Sequence, residues 1–207
     1  MTGAAGRPRL VLATRNPGKL AELARILAAG GAAVDLTDLS GYPGAPEVPE
    51  TGRTFVANAL LKGRAVAAHT GLPAVAEDSG LCVDALNGMP GVLSARWSGR
   101  HGDDEANLRL LLAQLEDVPA GERTAHFECS AVLVLPGGAE HVTKGTLHGR
   151  ITSAPRGSNG FGYDPIFAPD GSDRTTAQMS PADKDAISHR GRALRALAPA
   201  IAALARG

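Results

Sequence analysis

Cysteine, aromatic side chains, excess charge and long apolar runs are all scarce in this chain of 207 residues. Lysine plus arginine number 21, as do aspartate plus glutamate, so the formal net charge is zero. A surface built to hold nucleic acid through its phosphates carries a basic excess. None is present, although a local cluster of cations would still suit a small anionic ligand. The two cysteines, Cys82 and Cys129, lie far apart and show neither metal-ligand nor redox spacing. They read as small buried hydrophobes. Two thiols exclude a disulfide framework, as expected of a protein of the reducing cytoplasm. After Arg7 and Arg9, the run Leu10-Val11-Leu12-Ala13 is too short for a signal peptide. No stretch approaches the ~18 apolar residues of a membrane span. The expectation is a cytoplasmic protein with no membrane and no nucleic-acid partner.

The length suffices for a substantial core, in one large domain or two small lobes. Residues 1–7 read as a disordered leader. An apolar run over residues 9–14 ends in Asn16-Pro17-Gly18, the pattern of a strand passing into a helix. Leu20, Leu23, Ala24 and Leu27 recur at helical spacing until Gly30-Gly31 stops them, and a second strand is predicted over residues 33–36. Residues 41–52 are rich in proline and glycine and form a loop. A helix is predicted over residues 54–69, closed by Gly71. Strands over 72–77 and 81–85 are expected to flank an Asp78-Ser79-Gly80 turn, and another helix covers 104–115. A hairpin over residues 126–135 and 141–147 turns at Pro136-Gly137-Gly138. A glycine-rich loop covers residues 155–163, and the chain ends in helix. Crossover units mixed with a hairpin predict an α/β fold with a mixed sheet.

Several segments carry possible chemistry. Thr14-Arg15-Asn16-Pro17-Gly18-Lys19 lies where a strand meets a helix. The amides and positive dipole end of that helix, with Arg15 and Lys19, suit a triphosphate. Taken alone the segment reads first as an ordinary capped helix start with solvated basic residues, and it lacks the spacing of a Walker loop. Glu50, Glu77 and Asp78 are the acidic candidates. Mg²⁺ takes one or two such carboxylates and keeps most of its waters. Successive strand residues face opposite ways, so Glu77 and Asp78 are expected in different surroundings. Asn58 and Lys62 lie four apart and share a helical face. Phe161 and Tyr163 stand among glycines in a chain only 3% aromatic. Their segment suits close backbone approach to a ligand and stacking on a base, or a structural turn with both rings in the core. Ser180 and Ser188 read as two successive helix caps. A break at Ser188 would bring Lys184, His189 and Arg190 together.

Taken together, several motifs become recognisable: Thr14-x-Asn16-x-x-Lys19, Glu50-x-Gly52-x-Thr54-Phe55-x-x-Asn58-Ala59-x-x-Lys62, Asp78-Ser79-Gly80-Leu81 and Ser94-Ala95-Arg96. Pro155-Arg156-Gly157, Gly160-Phe161-Gly162-Tyr163-Asp164-Pro165-x-Phe167 and Lys184-x-x-x-Ser188-His189-Arg190 follow in order. From about Leu10 to Leu197 the chain resembles the noncanonical purine NTP pyrophosphatases, also called dITP/XTP or inosine triphosphate pyrophosphatases. The resemblance implies a homodimer of two-lobed α/β subunits with a long mixed sheet flanked by helices and the site in the cleft between lobes. It implies Mg²⁺-dependent hydrolysis of dITP, ITP or XTP to monophosphate and pyrophosphate. Asp78 would be proton acceptor and metal ligand, Glu50 a second metal ligand, and Lys62 a support for catalysis. Thr14, Arg15, Asn16, Pro17, Gly18 and Lys19 would bind substrate, as would Ser79, Phe161, Gly162, Tyr163, Asp164, Lys184, His189 and Arg190.

The chain departs from the family pattern at Leu93 and Trp97, where tyrosine is common, at Gln178 in place of glutamate, and at Asp185 in place of asparagine. Two alternatives stay open. A Maf-type nucleotide pyrophosphatase would show a first loop rich in serine and arginine, and this chain has Thr14-Arg15-Asn16-Pro17-Gly18-Lys19 there. A nucleotide-binding sensor without turnover would lack the acids, and Glu50 and Asp78 are both present.

Overall fold

Local signals decide the first β-α-β unit. Strand β1 (Arg9–Leu12) buries Leu10, Val11 and Leu12. Asn16 then caps helix α1 (Pro17–Ala29), its side chain accepting from the Gly18 and Lys19 amides, with Pro17 where no N–H is needed. The helix closes in a Schellman motif. Gly31, at φ 70°, donates its N–H to the Ala28 carbonyl at 3.1 Å, and Ala32 donates to Leu27 at 2.9 Å. The cap uses the chain up to Ala32, so β2 starts later than residues 33–36 and runs Asp35–Asp38. Helix α2 (Phe55–Thr70) lies as expected, capped by Thr54 and closed by left-handed Gly71.

The principal departure is strand β3 (Ala74–Val83). The sequence predicts two strands broken by a turn at Asp78-Ser79-Gly80, whereas the structure holds one continuous ten-residue strand. β3 lies between β1 and β5 in the sheet; β1 pairs only with its first residues, Ala74 and Val75, and β4 only with Cys82 and Val83, so pairing with β5 is what outweighs the local turn preference of Ser-Gly. Short β4 (Met89–Pro90) pairs antiparallel with β3. Helix α3 (Asp104–Gln114) follows, capped by Asp103. β5 (Thr124–Val134) and β6 (Glu140–Ile151) form the expected hairpin. β7 (Phe167–Pro169), α4 (Pro181–Ile187) and α5 (His189–Ala203) complete the chain. The sheet is mixed, ordered β2-β1-β3-β5-β6-β7 with β4 on β3. The α/β class with a mixed sheet is as expected.

This computed structural model describes residues 7–205. Of the expected leader, residues 1–6 lie outside the described residues. The chain divides into two compact units, and β3, β5 and β6 each pass from one into the other. The first unit comprises residues up to Asp78, Ser130–Lys144 and the chain from Gly191 on; the second comprises Ser79–Cys129 and Gly145–Arg190. In the first unit, Ala59, Val66 and Ala67 of α2 pack with Ala76, Val132 and Val134 of the strands. Gly63 allows this approach, because a Cβ there would lie 2.8 Å from Val134 Cγ2. The core of the second unit includes Leu81, Leu111, Leu115, Ile166 and the Phe127–Phe167 ring pair, whose centroids are 4.7 Å apart at 59°. No helix among the described residues is long and apolar enough to cross a membrane.

One glycine in the second unit tests its packing. Gly149 of β6 pairs with Pro169 of β7, and a Cβ there would overlap the Ala168 carbonyl oxygen and lie 2.7 Å from Phe167 Cζ. Backbone cannot yield as a flexible side chain does. Gly149→Ala is expected to lower stability by about 1–3 kcal/mol, measured as a lower urea midpoint at unchanged m-value.

Candidate active site

Within the first unit, α2 and β3 bring three charged side chains together. Lys62 Nζ donates to Glu50 Oε1 at 3.0 Å and to Asp78 Oδ1 at 3.2 Å. Asn58, one helical turn before Lys62 and fully buried, donates through Nδ2 to Asp78 Oδ2 at 3.0 Å. Its Oδ1 accepts the Gly52 N–H at 2.8 Å. Both carboxylate oxygens of Asp78 are thus held, and the loop carrying Glu50 is tied to the same helix. Gly52 fits because a Cβ there would lie 2.7 Å from Asn58 Oδ1 and from Ala57 Cβ.

The electrostatics follow from burial. Desolvation pushes the Asp78 carboxyl above its ordinary range; Lys62 opposes this, the Glu50 carboxylate reinforces it, and the Asn58 hydrogen bond opposes it. Burial alone would lower the Lys62 ammonium, but the Asp78 and Glu50 carboxylates outweigh it and its pKa is raised. The result is a charged lysine against a carboxyl poised to take a proton. Alternation along β3 turns Glu77 elsewhere, where it accepts Lys19 Nζ at 2.8 Å. The sequence placed Glu77 and Asp78 in different surroundings, and they are.

At the start of α1 the expected cap is present. Asn16 Oδ1 accepts the Gly18 N–H at 2.9 Å and the Lys19 N–H at 3.4 Å, and Leu20 N donates to the Asn16 carbonyl at 3.3 Å. Pro17 has no N–H. What this segment offers an anion is therefore the dipole, Lys19, and Arg15, whose Nη2 donates to the Ala45 carbonyl at 3.3 Å.

In the second unit a different cluster forms. Gly157, Gly160 and Gly162 all have positive φ, and a Cβ on Gly157 would overlap the Ala177 backbone. The two aromatics, given one role by the sequence, separate. Phe161 is 74% exposed, whereas Tyr163 is buried and donates its hydroxyl to the Ser94 carbonyl at 2.9 Å. The Tyr163 ring is therefore core, and burial drives its phenol pKa well up. Asp164 is buried beneath the loop and bonds to Lys184, which lies 4.9 Å over the Phe161 ring. The Gly162 N–H is taken by Asp104 Oδ2 at 2.8 Å.

The helix break at Ser188 is present, between α4 and α5. It sets Lys184 against Asp164, while the His189 ring stacks on Phe127 at 4.9 Å and 11°. Arg190 follows in α5. Ser79 lies inside β3, half-buried.

Two family departures are accommodated locally. Gln178 completes a capping box, accepting the Thr175 N–H at 3.0 Å, which a glutamate would do equally. Trp97 Nε1 donates to Gln114 Oε1 at 2.8 Å. Among residues not assigned to the site from sequence, Asn58 and Glu77 hold its charged groups. The spacing of Asn58 and Lys62 was the legible signal for the first; nothing local signals the Glu77–Lys19 pair. Asn58→Ala strands the Gly52 N–H and removes the donor to Asp78 Oδ2. It is expected to cost about 1–3 kcal/mol, read by chemical denaturation against wild type.

Residues 10–200 match the Ham1 family. The dITP/XTP pyrophosphatase of Nocardia farcinica is 62% identical over 198 residues, which is 95% of this chain and 96% of that protein. That of Streptomyces avermitilis is 58% identical over 193 residues, 93% of this chain and 96% of that protein. A crystal structure of a nucleoside-triphosphatase, dITP/XTP pyrophosphatase from Mycobacterium abscessus superposes with a TM-score of 0.81 at 57% identity, covering 93% of this chain and 99% of that one. A HAM1 protein from Coxiella burnetii gives 0.87 at 40% identity, covering 94% and 98%. With a match of this length and relatives this similar, the chain belongs to the Ham1 family.

Proposed function

We propose that this protein is a dITP/XTP pyrophosphatase, hydrolysing noncanonical purine nucleoside triphosphates (dITP, ITP, XTP) to monophosphate and pyrophosphate. The activity would clear these nucleotides before they enter DNA or RNA. The observation that carries the reading is the buried Asp78 carboxylate, poised between Lys62 and Asn58 beside Glu50, in a chain 58–62% identical to proteins of that name. The family match favours this reading over the Maf-type alternative.

The chain's own groups supply the chemistry in this proposal. Asp78 accepts the proton of the attacking water, and its raised pKa suits that task. Lys62 holds the Asp78 carboxylate in one orientation and offers positive charge to the transferring phosphoryl group. Arg15 and Lys19 draw the triphosphate to the start of α1. No side chain needs to form a covalent intermediate, so rate comes from positioning and charge. Glu50 and Asp78 converge on one ammonium, which marks the spot as cation-seeking, and both offer the hard oxygen donors that Mg²⁺ prefers. When bound there, Mg²⁺ would neutralise phosphate charge and fix the leaving pyrophosphate. Phe161 would stack on the base, with Lys184 against the other face of that ring, and His189 and Arg190 would meet the base edge or the phosphates. A homodimer in a reducing cytoplasm belongs to the same proposal, supported by the resemblance and by two buried free thiols.

The deciding assay is pyrophosphate release from ITP, XTP, dITP, GTP and ATP with and without Mg²⁺. Fast, metal-dependent release from the first three is expected. Asp78→Asn keeps the shape and removes the basicity, so turnover should fall by about a hundredfold or more with the fold intact. A folded variant at near-normal rate would remove Asp78 from the mechanism.

Base choice gives a separate prediction. Inosine and xanthosine carry an oxygen at purine position 6, where adenosine carries an amino donor. Donors facing that position welcome the first two and leave adenine donor against donor, which is costly in a desolvated site. Guanine shares the 6-oxygen, and its amino group at position 2 is what further donors there would repel. Arg190 has donors only. Arg190→Ala should therefore lower kcat/KM for ITP and XTP more than for GTP and ATP. An equal loss on all four would make Arg190 a phosphate or structural contact.

A further inference from the structure

Asp164 was expected from the family pattern to meet the substrate, yet its side chain is only 4% exposed. Oδ2 accepts the Phe161 N–H at 2.8 Å and the Lys184 ammonium, and Oδ1 accepts the Thr176 hydroxyl at 2.8 Å. Thr176 is itself buried and also reaches the Asp164 carbonyl at 3.2 Å. Above the carboxylate, Gly160 sits so close that a Cβ would overlap Oδ2. With so little of the carboxylate exposed and three donors already on it, a ligand atom has almost no direct access to it.

The groups that Asp164 holds are those that face outward. Phe161 is exposed on a backbone where both flanking residues, Gly160 and Gly162, have positive φ. Such a segment has wide conformational freedom unless something ties it down. The bond from the Phe161 amide fixes the backbone at that residue. The bond to Lys184 draws the ammonium to 4.9 Å from the Phe161 ring centroid, covering one ring face with a cation and leaving stacking to the other. One buried anion thus orders both members of the pair.

We propose that Asp164 is a positioning residue: it touches no part of the nucleotide and acts through Phe161 and Lys184, setting the ring on which the purine stacks. This rests on the reading of Phe161 as the base-stacking ring. The consequence is a division of effects. Losing the Asp164 charge should weaken ligands that have a base and leave a base-free polyphosphate unaffected.

The test measures KM and kcat for ITP, and Ki for inorganic tripolyphosphate, in wild type, Asp164→Asn, Phe161→Ala and the double variant. Asp164→Asn is expected to raise KM about tenfold, as for a lost charged hydrogen-bond partner. kcat should stay within about twofold, because stacking is felt alike in ground and transition states. Tripolyphosphate Ki should not move. In the Phe161→Ala background the Asp164 substitution should add nothing to KM, since the two act as one unit. A parallel rise in tripolyphosphate Ki would make Asp164 a phosphate residue, and additive losses would sever it from Phe161; either overturns the proposal, as does an unchanged KM. Should Asp164→Asn not fold, Thr176→Val removes one donor to the same carboxylate and is expected to shift KM in the same direction by a smaller factor, again without moving tripolyphosphate. A wild-type protein inert on ITP but binding tripolyphosphate would overturn the functional reading itself.

Discussion

A carboxylate in the middle of a central strand is an expensive thing to bury, and the first unit is arranged around making it tolerable. Asp78 is 9% exposed, so its charge has lost most of its water. Lys62 and Asn58 replace that water, one on each oxygen, and they can do so together only because four residues along α2 bring them to one face. That requirement sets the distance of α2 from the sheet, which Gly63 permits by leaving no Cβ between helix and strands. It also recruits the preceding loop, since Asn58 holds Gly52 while Lys62 holds Glu50. Two carboxylates sharing one ammonium is an arrangement suited to gaining a further cation, and it is expensive to keep for stability alone.

The second unit solves a different problem with the same device. Its loop must expose an aromatic ring, which apolar packing opposes, on a backbone that glycine makes loose. A buried anion at Asp164 gathers an amide, a hydroxyl and an ammonium from separate segments and so fixes the loop from beneath. Tyr163 then anchors the next residue in the core through its ring and its bond to Ser94. Neighbouring aromatics two positions apart therefore do opposite things, one presented and one buried.

The parts legible in the sequence were those decided within a few residues. Asn16, Thr54 and Ser180 cap their helices, and Gly71 ends α2, because a cap is a local hydrogen bond or a local φ. The parts misread were those decided by partners distant in sequence. Asp78-Ser79-Gly80 is turn-like by itself and becomes strand through pairing with β5, since β1 reaches only Ala74 and Val75. The split between Phe161 and Tyr163 depends on whether Ser94, sixty-nine residues earlier than Tyr163, offers a carbonyl. Of the site, the family pattern supplied the residues, while the structure separates those that carry charge outward from those, such as Asp164, whose groups are already engaged.

That separation bears on how selectivity arises under the proposed function. The bond broken is the same phosphoanhydride in every nucleoside triphosphate, so the groups around Asp78 have no means of telling inosine from guanosine. Discrimination must come from residues that meet the base, and those the pattern assigns to it fall within residues 161–190, apart in sequence from the acids and cations of residues 14–78. A stacking ring such as Phe161 favours any purine, because every base has a π face. Only donors and acceptors at the base edge read positions 2 and 6, and a missing amino group can be preferred only where a donor waits that guanine would confront. Rejection of the common nucleotides is thus a matter of repulsion placed at the edge, while the platform beneath Phe161 sets affinity for all purines alike. An alteration to the platform and one to the edge should leave different marks: the first shifts every purine together, and the second changes their order.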